Sequence, residues 1–322
     1  MVKSAVNGSL GIFAFIAAIN FLGHHMKSIH YIDRKTGGLQ KETVPGEKWL
    51  RWLYHSPAGK IALWAVVKRK FLSRWYGRKM DTPASKAKIA DFVNTLQIDM
   101  NEVARPVSEF ASFNDFFIRK LKPGTRPIDK DPAIITSPAD GKVLAFDEID
   151  RLDTFFAKGQ KFSLDKFLQN PSLSAGYAGG ALLIIRLAPA DYHRFHFPAD
   201  GHISEPIRIS GHYFSVSPYA VKNRLRIYWE NERVYSILRT DKAGNILLGE
   251  VGAALVGAIV QNYAAQTTVK KGQEKGWFKF GGSTIILLFE KGKVRADRDL
   301  IENTQKGYET AVTVGERLAC IT

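Results

Sequence analysis

Lys270-Lys271-Gly272-Gln273-Glu274-Lys275-Gly276, then Gly281-Gly282-Ser283-Thr284-Ile285-Ile286-Leu287-Leu288-Phe289: a basic, glycine-rich approach runs into an unbroken apolar segment. Five consecutive apolar residues bounded by turn formers read as a buried strand. Ser283 therefore stands at the mouth of that strand, behind two residues that tolerate backbone conformations closed to others. A hydroxyl so placed has the room and the freedom to attack the carbonyl of the residue before it. If it does so, Ser283 does not remain a serine, and the chain builds its own electrophile.

Upstream of this segment, from about Ile134, short β-branched runs alternate with turn residues. Residues 141–145, 181–185, 225–229 and 246–248 are predicted strands. Ahead of them the signals are helical. Thr82-Pro83 reads as N-cap and first residue of a helix with Ile89, Phe92, Val93 and Leu96 facing inward. Ser112-Phe113-Asn114-Asp115 opens a second with a capping-box-like start, and Pro123-Gly124 and Pro127 end it. The expected fold class is α+β: a basic, mainly helical N-terminal region followed by a β-rich catalytic body. The expected divisions are a membrane-associating basic and aromatic region over 1–80, a helical segment over 81–130 and the catalytic domain over 131–322.

Charge narrows the partners. There are 46 Lys+Arg against 31 Asp+Glu, a net of +15, in a chain of 322 residues. Such a field attracts anionic lipid or nucleic acid. No nucleic-acid fold signature accompanies the charge, so nucleic acid is not an expected partner. The single cysteine, Cys320, excludes an internal disulfide and a cysteine-based zinc site. Residues 11–22 are apolar but short of the ~20 that a spanning helix needs, and no good small-x-small cleavage site follows. A short membrane anchor or interfacial helix is expected there, with a buried terminal helix or a signal peptide as alternatives. Ile61, Trp64, Val67, Phe71 and Trp75 fall on one helical face among many Lys and Arg, the pattern of a helix that seeks anionic lipid. Its alternative is a solvated basic face over an aromatic core.

Three further clusters could carry chemistry. Ser137-Pro138-Ala139-Asp140-Gly141 presents one carboxylate on a turn. Residues 188–198 hold His193 and His196 between prolines; on a tight helical turn the two would share a face. Residues 210–216, with His212, could form a pocket wall. An Asp, a His and a Ser make a familiar activation relay in several chain orders. Ser283 lacks the Gly-x-Ser-x-Gly elbow, because Ile285 stands where the last glycine would be. No paired-cysteine or His-Glu-x-x-His pattern occurs, so no metal is expected, and the glycines at 252 and 257 lead into Ala258-Ile259 rather than a phosphate loop.

Ser112-Phe113-Asn114-Asp115-Phe116-Phe117-Ile118-Arg119-Lys120-Leu121-Lys122-Pro123-Gly124 with Arg126-Pro127-Ile128, then residues 137–141, Asp191-Tyr192-His193-Arg194-Phe195-His196, and residues 272–284 follow in order. In that order and spacing they resemble the pyruvoyl-dependent phosphatidylserine decarboxylase family over roughly residues 112–291. The tetrad here is Gly-Gly-Ser-Thr where other members carry Leu-Gly-Ser-Thr, a family variant. The resemblance implies a self-processing relay of Asp140, His196 and Ser283, with His196 as base and Asp140 orienting it. Ser283 would attack the Gly282 carbonyl, and cleavage between 282 and 283 would leave a large chain (1–282), a small chain (283–322) and a pyruvoyl group at 283. That group is the electron sink for carbon dioxide loss once it condenses with the substrate amine. His193 is the implied proton donor.

The implied reaction turns phosphatidylserine into phosphatidylethanolamine and carbon dioxide. The implied partners are phosphatidylserine in an anionic membrane and the two chains of one proenzyme as a heterodimer, with further dimerisation open. The cytoplasmic face of a bacterial cell membrane is the expected location, an organelle membrane the alternative. Two rival readings remain at this point: a membrane-associated serine hydrolase using the same three residues, and a non-catalytic lipid-surface module.

Overall fold

The apolar run at 285–289 is buried because it lies in the middle of a sheet covered on both faces. Ser283–Leu288 is a wholly buried strand between Leu182–Leu187 and Asn245–Gly252, antiparallel to both. Ile285 and Leu287 join one apolar cluster, and Ile286 and Leu288 join another on the opposite side. Burial of each such side chain stabilises the fold by about 1.5–3 kcal/mol. A strand buried on both faces loses the polar alternation of a surface strand, which is why the sequence reads as a continuous hydrophobic run.

The computed structural model describes residues 29–44, 47–56, 58–59, 70–150, 152, 156, 160–222, 224–253 and 258–322. Among them the central sheet has eleven strands. Its order is Thr267–Val269, Gly201–Ile203, Arg233–Arg239, Asn245–Gly252, Ser283–Leu288, Leu182–Leu187, Gly141–Phe146, Glu309–Val312, His30–Asp33 and Leu39–Lys41. Ile207–Ile209 adds to Arg233–Arg239 off this path. Two three-stranded sheets complete the body. One is Ile259–Gln261, Glu274–Phe278 and Arg194–His196; the other is Val294–Ala296, Arg317–Ile321 and Ile134–Thr136. The strand-rich body and the mixed helices bear out the α+β class.

The front of the chain is not helical throughout. His30–Asp33 and Leu39–Lys41 form an antiparallel pair, and the first of them runs parallel to Glu309–Val312. Glu42, just beyond, and Glu309 both chelate the buried Arg186 guanidinium at 2.6–2.9 Å. Part of the 1–80 region is thus built into the sheet of the body. Helices Glu47–His55 and Lys70–Met80 follow. The apolar stretch 11–22 and most of the 61–75 aromatic stripe lie outside the described residues.

Thr82-Pro83 opens a short 3-10 turn, Pro83–Ala87, that leads into helix Lys88–Leu96 with Ile89 buried. The Ser112 hydroxyl accepts from the Asp115 N–H at 3.2 Å and caps Phe113–Phe117. These helices pack Met80, Ile89, Phe113, Phe116 and Phe117 into a third cluster, against which Phe280 rests. Residues 225–229 are not the predicted strand: they form a turn and helix Ile227–Glu230. Ile227 and Tyr228 are adjacent and both buried, a pattern that a helix entering the core shares with a strand covered on both faces.

Candidate active site

Ser283 is the first residue of its strand, level with Leu187 on one neighbour and Gly252 on the other. It is completely buried. The residues before it reach this position by a turn that needs glycine, since Gly281 takes a φ of +139° that L side chains rarely adopt. A side chain at Gly282 would meet Val216 at 3.4 Å and Ala253 at 3.8 Å. The 210–216 segment therefore does supply a wall, through Val216 and not His212. His212 instead packs edge-on against Phe214, at 5.6 Å between centroids.

His193 is the histidine that meets the serine: Ser283 Oγ lies 3.4 Å from its Nδ1. The other ring nitrogen, Nε2, lies 3.1 Å from the Ala188 carbonyl. A carbonyl can only accept, so Nε2 carries the proton and Nδ1 faces the hydroxyl as a bare acceptor. The ring is fully buried and stacks on Phe117, with centroids 4.0 Å apart. Burial, joined by the nearby positive charge of Arg119, pushes its pKa from 6.5 down to about 3. The imidazole is therefore neutral at ordinary pH.

His196 stands elsewhere. The two histidines do not share a helical turn, because the chain is extended through strand Arg194–His196 and residues an odd number apart face opposite sides. That strand is held flat against Glu274–Phe278, where Phe195 packs over Gly276 so closely that a Cβ there would stand 2.8 Å from the ring. His196 stacks loosely on Tyr192 at 5.9 Å, and its Nδ1 is buried with no hydrogen-bond partner. Burial lowers its pKa. Among the described residues no hydrogen bond joins it to Ser283 or to Asp140. Its backbone N–H does donate to the Pro138 carbonyl at 2.8 Å, so it borders the turn that bears Asp140.

Asp140 is nearly buried and held by Arg126, with Nε 3.0 Å from each carboxylate oxygen and Nη2 at 2.7 Å, and by the Val314 N–H at 2.8 Å. Burial pushes its carboxyl pKa up, against the opposing pull of Arg126. The structure thus joins His193 to Ser283, ties the strand of His196 to the turn that bears Asp140, and does not link those two groups into a hydrogen-bonded chain. Sequence reasoning missed the residues around His193: Phe117 and Arg119 from the Ser-Phe-Asn-Asp segment, and Lys142 and Asp191. Asp191 was within reach of the sequence, being two places before His193 in the same motif.

A pyruvoyl group made from residue 283 suits this surrounding. The position is enclosed, a glycine precedes it, and the ring facing it is uncharged, so a carbonyl of serine size adds no buried charge. Among the described residues no cluster of His, Cys, Asp or Glu could hold a metal ion, and no helix is long and apolar enough to cross a membrane.

Fold and site together define an enzyme whose key serine is built into the core, where water does not reach it, beside an uncharged imidazole. The chain belongs to the phosphatidylserine decarboxylase family, pyruvoyl-dependent carboxy-lyases made as proenzymes. The family model matches residues 113–320. A phosphatidylserine decarboxylase proenzyme of Fusobacterium nucleatum is 55% identical over 293 residues, 91% of this chain and 98% of that protein. Proenzymes of the same name from Desulfitobacterium hafniense and Clostridium novyi are 46% and 45% identical, each over 90% of this chain and 97% and 98% of their own lengths.

Proposed function

We propose that this chain decarboxylates phosphatidylserine to phosphatidylethanolamine with a pyruvoyl group formed from Ser283, after the proenzyme cuts itself between Gly282 and Ser283. The observation that carries the site assignment is the 3.4 Å approach of His193 Nδ1 to Ser283 Oγ in a fully buried setting. The pyruvoyl group, when formed, supplies an electron sink for the loss of carbon dioxide. His193 then takes up a proton through its bare Nδ1 at the atoms of residue 283 and returns it, and Phe117 keeps its ring in plane and water away.

Asp140 and His196 serve self-cleavage. Two facts support this: the backbone N–H of His196 is hydrogen-bonded to Pro138, two residues before Asp140, and the His196 Nδ1 has no partner in the uncut chain. A second reading, favoured by the Ser283 contact, has His193 take the hydroxyl proton during cleavage as well. Paired variants separate them. In the first, His196→Ala stays uncut, and His193→Ala is cut but turns over poorly. In the second, both stay uncut. Normal turnover by His193→Ala removes that residue from either role.

Residues 1–80, outside the hairpin, form the membrane-associating part. Residues 81–130 pack the helical cover over the site, and 131–322 form the catalytic body. Trp75 supports a lipid-facing front: it is 54% exposed on a basic helix, with Lys79 Nζ 5.5 Å from its ring. Each basic residue near an anionic leaflet contributes about 1 kcal/mol of attraction. The large and small chains remain together as a heterodimer because the strand Ser283–Leu288 is interleaved between two strands of the large chain. The working location is the cytoplasmic face of a bacterial cell membrane. Intact-mass measurement tests the whole reading. It predicts two fragments with the smaller blocked at its N-terminus and reactive to a carbonyl reagent, and a single 36.0 kDa chain in active protein refutes it.

A further inference from the structure

The loop from Ala188 to His193 begins where Leu182–Leu187 ends, beside Ser283, and returns to set the imidazole over it. Its closure depends on one side chain. Asp191 Oδ2 accepts the Ala188 N–H at 2.7 Å, and the Asp191 N–H donates to the Ala188 carbonyl at 2.9 Å. That same carbonyl takes the His193 Nε2–H, so both of its lone pairs are used. Lys142, buried on the neighbouring strand Gly141–Phe146, grips both Asp191 oxygens at 2.8 and 2.9 Å. From the other side the Arg119 Nη2 donates to the Ala190 carbonyl at 2.9 Å, and the Phe278 N–H donates to the His193 carbonyl at 2.9 Å.

We infer that Asp191, anchored by Lys142, is a positioning residue: it orients the Ala188 carbonyl that fixes the His193 tautomer, leaving Nδ1 bare toward residue 283. The inference rests on the reading of His193 as the proton-transfer group. An unsupported loop would let the ring flip or move its proton to Nδ1, and the nitrogen facing residue 283 would then already hold a proton and could not take one up to return it. Neither Lys142 nor Asp191 touches the reacting atoms in this arrangement; they act through the ring.

The test uses full-length purified protein, with nitrogen-15 histidine labelling and the His193 signal assigned by its loss in His193→Gln. The native protein is expected to show a protonated Nε2 and an unprotonated Nδ1. Asp191→Ala is expected to mix the two forms and to lower kcat per cut chain about ten- to a hundredfold, the scale of a small misplacement of a catalytic group, with KM changed far less. Asp191→Asn keeps an acceptor for the Ala188 N–H and is expected to recover the native tautomer and much of the rate. Lys142→Met is expected to fall between them. Should Asp191→Ala fail to fold, the last two variants carry the test. A native His193 spectrum with unchanged kcat in Asp191→Ala, or in Lys142→Met when the alanine variant does not fold, overturns the inference. So does a rate loss that follows only the fraction folded. A shifted tautomer together with normal turnover by His193→Ala would instead sink the role assigned to His193 and leave the positioning intact.

Discussion

Acid should weaken this fold through His193, and by an amount the structure lets us work out. The ring is neutral and fully buried, with its pKa lowered from 6.5 to about 3 by burial and by Arg119. In the unfolded chain it regains the ordinary value. Between those two values the unfolded state binds a proton that the folded state does not, so stability falls as pH falls. The contribution is complete above pH 6.5 and is lost progressively toward pH 3. Each pH unit in that window costs about 1.4 kcal/mol, which makes about 5 kcal/mol in all and about 2 kcal/mol between neutral pH and pH 5. The assay is urea unfolding at pH 7.5 and pH 5, with the chain kept whole by Ser283→Ala. Adding His193→Gln, which retains a donor for the Ala188 carbonyl, should shrink the stability difference between the two pH values by about 2 kcal/mol. Other acid-sensitive groups cancel in the comparison. Equal pH dependence with and without His193→Gln would refute the claim that the ring is held neutral by its surroundings.

Other outcomes follow from the same structure. Ser283→Ala should give one uncut, inactive polypeptide on a denaturing gel, and any cut or active product would reject the assignment of position 283. Lys275 and Glu250 form an ion pair at 2.8 Å in which both side chains are 1% exposed, tying the strand that pairs with the histidine segment to the central sheet. Lys275→Met should cost about 3–5 kcal/mol in urea unfolding by stranding a buried carboxylate, and adding Glu250→Gln should recover most of it. Deleting residues 1–27 should weaken sedimentation with anionic vesicles; unchanged binding would assign the contact to residues 49–79 or elsewhere.

The parts of the fold that could be read from sequence are those in which neighbours along the chain share an environment. Ser283–Leu288 announces itself because every residue in it is buried. Pro83 and Ser112 mark helix starts by backbone chemistry that needs no tertiary partner. Residues 225–229 were misread because their apolar character is shared by a strand and by a helix entering the core, and five residues are too few to reveal the period. The hairpin at 30–41 gave no strong signal either: its strands are short and half-exposed, and they are held from outside by Glu309–Val312 and by Glu42 on Arg186.

At the site, the residue types and their order identify the family and the serine that matters, since a glycine-flanked hydroxyl entering a buried strand is a local property of the chain. Which histidine meets that serine is not local. His193 and His196 differ by three positions in one motif, and only the pairing of Arg194–His196 with Glu274–Phe278 turns one toward Ser283 and the other away. The protonation of His193 is equally beyond the sequence. It follows from burial against Phe117, from the charge of Arg119 and from a carbonyl at Ala188, groups brought together from separate segments by the closing of the sheet. The chain specifies the chemistry; the packing decides where the proton sits, because desolvation and hydrogen-bond direction exist only once distant residues touch.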